Sequence, residues 1–144
     1  MKEINMSALI EGNGSCLCGK IRIAVKGINR NVGACHCGTC RNWGGGPFMA
    51  VDCGTDVSFE GEENISVYSS SEWAERGFCK ECGSHLFYRL KGAHHYMMPV
   101  GLFPEVESFV FDHQVFIDEK PAYYGFSNKT QNMTGPEVFK KYSQ

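Results

Sequence analysis

Eight cysteines occur in this chain, and seven fall in three tight clusters: Cys16-Leu17-Cys18, Cys35-His36-Cys37-Gly38-Thr39-Cys40 and Cys79-Lys80-Glu81-Cys82. The spacings C-x-C, C-x-C-x-x-C and C-x-x-C let neighbouring sulfurs reach one ion, and zinc takes thiolates about 2.3 Å away in a tetrahedron. Two bare thiolates about 4 Å apart would repel by about 4 kcal/mol at an effective dielectric of 20. A metal removes that penalty by deprotonating the thiols and holding them. Gly19, Gly38 and Gly83 each follow a cysteine, where they let the backbone turn tightly and aim N–H groups at sulfur.

Seven ligands divide naturally into four and three. The C-x-C pair and the distant C-x-x-C pair (Cys16, Cys18, Cys79, Cys82) together make a closed four-thiolate site, which would staple two remote segments of the chain. The compact triple Cys35, Cys37 and Cys40 leaves one tetrahedral position for a water or substrate, the pattern of a catalytic zinc. Other arrangements stay open at this point: disulfides, a redox dithiol at Cys37/Cys40 or Cys79/Cys82, or a second structural site closed by His36. Met1–Ser7 has no apolar run and no cleavage site, so a cytoplasmic, reducing address is expected, and that disfavours disulfides. Cys53, alone in a strand-like stretch, reads as a small buried residue.

A chain of 144 residues suggests one domain over 1–144, and 42% hydrophobic against 21% charged residues place it among globular proteins. Fourteen basic and sixteen acidic residues leave a charge of −2, which argues against a nucleic-acid partner. No run approaches the ~20 apolar residues of a membrane span.

Ile21, Ile23 and Val25 alternate as in a half-buried strand. Further short β-like runs are 48–51, 57–59, 65–68, 84–89, 96–100, 109–111 and 115–117. Residues 1–14 read as a lead-in, 27–33 as a turn, Gly44-Gly45-Gly46-Pro47 as a loop, and 102–108 as room for one short turn. The polar tail 126–144 leaves space for one small helix after Gly135-Pro136. The expected fold class is therefore mainly β, with antiparallel sheets and little helix.

Gly14-Ser15-Cys16-Leu17-Cys18-Gly19, Cys35-His36-Cys37-Gly38-Thr39-Cys40-Arg41, Gly46-Pro47-Phe48 and Gly77-Phe78-Cys79-Lys80-Glu81-Cys82-Gly83-Ser84 resemble the glutathione-dependent formaldehyde-activating enzyme family, which includes the centromere protein V domain. The resemblance runs from about Gly12 to Tyr124 and takes in His113 and Lys120-Pro121. It departs from the family where the usual tryptophan is replaced by Tyr123 and Tyr124. The resemblance implies a zinc-pinned β-tent and two zinc ions, one structural on Cys16, Cys18, Cys79 and Cys82, the other more labile on Cys35, Cys37 and Cys40. It also implies a carbon–sulfur lyase-type activity, joining a thiol such as glutathione to an aldehyde as an S-(hydroxymethyl)glutathione synthase does.

For such a substrate Arg41 is the best-placed cation, Trp43 an apolar wall, and His113 the histidine at a family position. His36 is expected to point away from the metal, His85 to line the core, and His94 and His95 to be solvated in a turn. The competing reading is a zinc-stabilised binding module without catalysis. It gains if the triple is closed by His36, or is empty and buried, and loses if the triple carries zinc with an exchangeable fourth ligand in a concave pocket.

Overall fold

The computed structural model describes residues 9–142. Its elements in chain order are β1 (Ile10–Ser15), β2 (Arg22–Ile28), β3 (Asn31–Cys35), α1 (Gly38–Gly44), β4 (Phe48–Gly54), β5 (Val57–Glu60), β6 (Ile65–Ser69), β7 (Ala74–Cys79), β8 (His85–Leu90), β9 (His95–Pro99), β10 (Val110–Val115), β11 (Gln131–Met133) and α2 (Gly135–Tyr142). Single 3-10 turns separate several of them. The fold is mainly β, as the alternation and turn content predict.

Two sheets form. The smaller is antiparallel, in the order β1-β2-β5; the larger runs β11-β10-β3-β4-β9-β8-β7-β6. Most pairings are antiparallel, but β10 lies parallel to both β3 and β11, which makes the larger sheet mixed. Burial of alternate residues of β2 explains why the small sheet docks: Ile23 and Val25 are buried, with Ile21 just before the strand. They join Val51, Leu86, Phe87, Tyr96 and Met98 of the larger sheet in one apolar cluster. Phe87 and Tyr96 meet edge-on at 5.1 Å, and Phe59 of β5 packs against both, at 5.7 and 5.8 Å. Such aromatic contacts add roughly 0.5–1.5 kcal/mol per pair beyond area burial.

Several expectations are corrected. The described part of the lead-in holds a strand, β1, paired with β2; residues 1–8 lie outside the described residues. The turn expected at 27–33 is shorter, because β3 already begins at Asn31. Residues 38–44 form a helix that no local pattern announces, and the loop expected at Gly44-Gly45-Gly46-Pro47 begins one residue later, at Gly45. Cys37 caps that helix by accepting the Cys40 N–H on its sulfur at 3.4 Å, and Gly45 ends it in the left-handed region, donating to the Arg41 carbonyl at 2.8 Å. The strand expected at 115–117 stops at Val115, since Phe116 adopts φ +55 and Ile117–Glu119 form a 3-10 turn. The segment 102–108 contributes to two turns, Val100–Leu102 and Val106–Ser108. The tail carries the expected small helix. A capping box starts it: Thr134 Oγ1 accepts from the Glu137 N–H at 3.3 Å, and Glu137 accepts from the Thr134 N–H at 2.9 Å.

Candidate metal centres and active site

Cys16 and Cys18 follow β1, Cys79 ends β7, and Cys82 lies in the turn before β8, so the chain brings the outer cysteine pairs to one place. Their four sulfurs lie within 4.8 Å of one another. The Cys16–Cys18 and Cys18–Cys79 separations are 3.5 and 3.8 Å. A tetrahedron with 2.3 Å arms has edges of about 3.8 Å, so this donor set suits zinc in both chemistry and size.

Two turns of the same design build the cluster. Gly19 at φ +79 donates to the Cys16 carbonyl at 3.1 Å, and Gly83 at φ +78 donates to the Cys79 carbonyl at 2.9 Å. These are left-handed positions that a side chain resists. The turned backbone aims N–H groups at sulfur: Ile21 donates to Cys16 at 3.4 Å and Cys82 donates to Cys79 at 3.5 Å. The Ser84 hydroxyl, 3.2 Å from the Cys82 sulfur, pulls that thiol down to about 5, and the Ser84 backbone helps. The same hydroxyl accepts the Leu17 N–H at 3.0 Å and so ties the two turns together.

The second cluster sits where β3 meets α1. Cys35 closes the strand, Cys37 caps the helix, and Cys40 is buried in its first turn. Their sulfurs also lie within 4.8 Å of one another. Hydrogen bonding from Cys35 and then Cys40 pushes the Cys37 thiol far down, and the same contact pushes Cys35 up. Cys40 is raised as well, so without a cation only Cys37 is favoured as a thiolate, and three sulfurs this close suit a soft divalent ion that would deprotonate the other two.

Among the described residues, no fourth His, Cys, Asp or Glu joins this group. His36, fully buried between two of the cysteines, is committed elsewhere. Its Nε2 is 2.7 Å from Gln114 Oε1 and its Nδ1 is 2.6 Å from the Tyr124 hydroxyl. The direction of each bond follows from the chain beyond. Thr130 Oγ1 donates to Asn132 at 2.7 Å and accepts from Gln114 Nε2 at 2.8 Å, so the Gln114 oxygen must accept. Nε2 of His36 therefore carries the proton and Nδ1 accepts from Tyr124. Burial keeps the imidazole below its ordinary pKa and hence neutral. Arg41 Nε donates to the His36 carbonyl at 2.9 Å, and Glu119 accepts the Gly38 N–H at 3.0 Å; both contacts brace the ligand loop from outside.

The structure brings Trp43 beside the triple but carries His113 elsewhere. Trp43, half-buried on α1, stacks on His85 at 3.8 Å with the rings 9° apart, so His85 belongs to this wall rather than to the core. His113 packs over Gly33 and pairs with Asp112 at 2.7 Å. It alternates along β10 with Gln114, whose side chain is the one that reaches His36. His94 is exposed, as expected, whereas His95 pairs with Asp52 at 2.6 Å. Cys53 is buried, and burial raises its thiol. A groove of about 1180 Å³ runs along β1, β2 and β5 beside the four-cysteine cluster, and none of Cys35, Cys37 and Cys40 lines it.

Sequence reasoning missed Arg76 and Tyr88, register partners on β7 and β8. The Arg76 Nη2 is 3.5 Å from the Cys40 sulfur, and its guanidinium lies over the Trp43 and Tyr88 rings. Tyr88 falls within the run 84–89 expected to be extended, whereas no strand is expected over 74–79, where Arg76 lies.

A mainly β chain with one four-cysteine and one three-cysteine cluster, each able to hold a metal, is the class that fold and site define. The sequence profile of the family described as glutathione-dependent formaldehyde-activating enzyme matches residues 11–119, and the chain belongs to that family. A Schizosaccharomyces pombe protein named as an uncharacterized lyase is 42% identical over 131 residues, covering 90% of this chain and 96% of its own. An Aspergillus flavus protein whose name carries the family description is 34% identical over 94 residues, covering 58% of this chain and 46% of its own. The match thus spans less than half of the Aspergillus protein. A crystal structure of a Rhodobacter sphaeroides protein superposes with a TM-score of 0.56 at 26% identity, over 64% of this chain and 87% of that one. Among the described residues, no helix is long and apolar enough to cross a membrane.

Proposed function

We propose that this chain is a zinc-dependent lyase-type enzyme that acts on small thiol–aldehyde adducts, with two zinc ions of different duty. Family membership and a lyase-named relative across nearly the whole chain support the class of activity. The observation that carries the division of labour is the state of His36. Both its ring nitrogens are used by Gln114 and Tyr124, which leaves the triple with three candidate protein ligands among the described residues. Had His36 closed that site, the non-catalytic module would be the better reading. Cys16, Cys18, Cys79 and Cys82 would hold the structural ion, and Cys35, Cys37 and Cys40 the exchangeable one.

When bound at the triple, zinc supplies a coordination position for a thiolate and Lewis acidity toward an aldehyde oxygen. The chain's own residues then position the partners. Trp43 offers an apolar face beside the triple, held by its stack on His85. Arg41 keeps its Nε on the His36 carbonyl and leaves its terminal nitrogens without a partner among the described residues, available to a carboxylate of glutathione. The neutral His36 holds the ligand loop and moves no proton.

The test is exchange spectroscopy on glutathione and formaldehyde, which measures how fast the hemithioacetal forms and breaks. The expected result is exchange accelerated by the wild-type protein and returned to the buffer rate by Cys37→Ser. A wild-type rate equal to buffer would contradict the proposal.

A further inference from the structure

Arg76 is a buried cation without a carboxylate. Its residue is 5% exposed, and its Nε and Nη1 have no hydrogen-bond partner among the described residues. The adjacent Glu75 is taken by Arg89, at 2.6 and 2.7 Å. Among the described residues, no acid pairs with Arg76. Its charged group instead sits 5.0 Å from the Trp43 ring centroid and 5.0 Å from that of Tyr88, with Nη2 3.5 Å from the Cys40 sulfur.

Burying an unpaired guanidinium is costly, and ring faces repay only part of that cost. Among the described residues the one polar contact left to compensate Arg76 is with the three-cysteine cluster, at Cys40. Three thiolates around a divalent ion leave one net negative charge, and one guanidinium cancels it. Arginine suits the place because it is always charged and stacks flat on aromatic faces. The four-cysteine cluster is served differently, by backbone N–H groups and Ser84.

We propose that Arg76 is a positioning residue for the open site: its charge balances the loaded triple, and its stack between Trp43 and Tyr88 fixes Cys40. Retention of the metal at the triple, and not at the four-cysteine site, depends on it. This inference rests on the reading above that the triple holds zinc.

The experiment loads wild-type protein, Arg76→Met and Arg76→Lys with zinc and titrates each against a chromophoric chelator, with circular dichroism as the check on folding. In Arg76→Met the weaker ion is expected to be lost about 10–100-fold more readily, the span typical of an outer-sphere partner. The tighter ion is expected to be unchanged, and Arg76→Lys to recover most of the loss. If Arg76→Met does not fold, Arg76→Gln against Arg76→Lys makes the same comparison. Two ions with unchanged affinities in the charge-removing variant overturn the inference alone, as does equal weakening at both sites. A wild-type protein that takes up a single ion overturns the two-zinc reading and this inference with it.

Discussion

Removing the imidazole of His36 separates a strut from a ligand. The ring is fully buried and makes two hydrogen bonds, at 2.6 and 2.7 Å. In His36→Ala the Gln114 oxygen loses its donor inside the protein, which costs about 1–3 kcal/mol. The deleted ring adds a cavity, and the two together amount to roughly 3–5 kcal/mol, the range of large buried truncations. For a chain of this size that corresponds to a fall in Tm of about 10–15 °C. Because neither ring nitrogen faces the cysteines, metal affinity at the triple should change less than about tenfold, the lower end for outer-sphere partners. Thermal melts give the first number, and chelator competition on the folded variant at low temperature gives the second. A variant that keeps its Tm but drops one ion would show that His36 is a ligand and refute the hydrogen-bond assignment.

The two clusters should respond differently to loss of one sulfur. A structural zinc is worth on the order of 10–16 kcal/mol in small peptides, against about 5–15 kcal/mol of total stability for a typical domain. Cys79→Ser is therefore expected to abolish the cooperative melt, whereas Cys37→Ser should retain it while binding one ion fewer; calorimetry and elemental analysis check both. The Asp52–His95 pair should give the stability a pH signature. His95 is raised above its ordinary pKa chiefly by the Asp52 hydrogen bond, so its contribution is complete below about pH 6.5 and fades as pH rises through the shifted value. For Asp52 burial is the largest influence and opposes ionisation, but the His95 and Gly54 contacts outweigh it and lower the carboxyl, so its share is lost on acidification below about pH 3.9. Both side chains are about one-third exposed, so the effect should not exceed about 1 kcal/mol. Melts from pH 5 to 9 should show it in the wild type and not in Asp52→Asn.

What the sequence makes legible is the chemistry of close neighbours. The C-x-C, C-x-C-x-x-C and C-x-x-C spacings predict the two groups of sulfur that the fold assembles, and alternation at Ile21, Ile23 and Val25 predicts the buried face of the small sheet. What it hides depends on partners remote in the chain. Gly33 in β3 reads as part of a turn, yet it is a strand residue kept bare because His113 lies where a Cβ would go. Gly77 does the same under Phe87 in β7, a strand whose charged neighbours Glu75 and Arg76 conceal it further. The short helix α1 is masked by its glycines and capped by a cysteine rather than by the usual Ser, Thr, Asp or Asn. The parallel pairing of β10 with β3 joins segments about 80 residues apart, a choice that no local pattern encodes. His36 was expected to point away from the metal; its partners Gln114 and Tyr124 come from that same remote segment.

Native mass spectrometry of freshly reduced protein, taken before and after brief exposure to a chelator with and without glutathione, tests the account most directly. The expected spectrum shows two zinc ions per chain at the start and one after chelation, with the fold retained and the second ion's loss altered by the thiol. A protein carrying no zinc, or two ions that leave together with unfolding, would contradict the assignment of one closed and one open site.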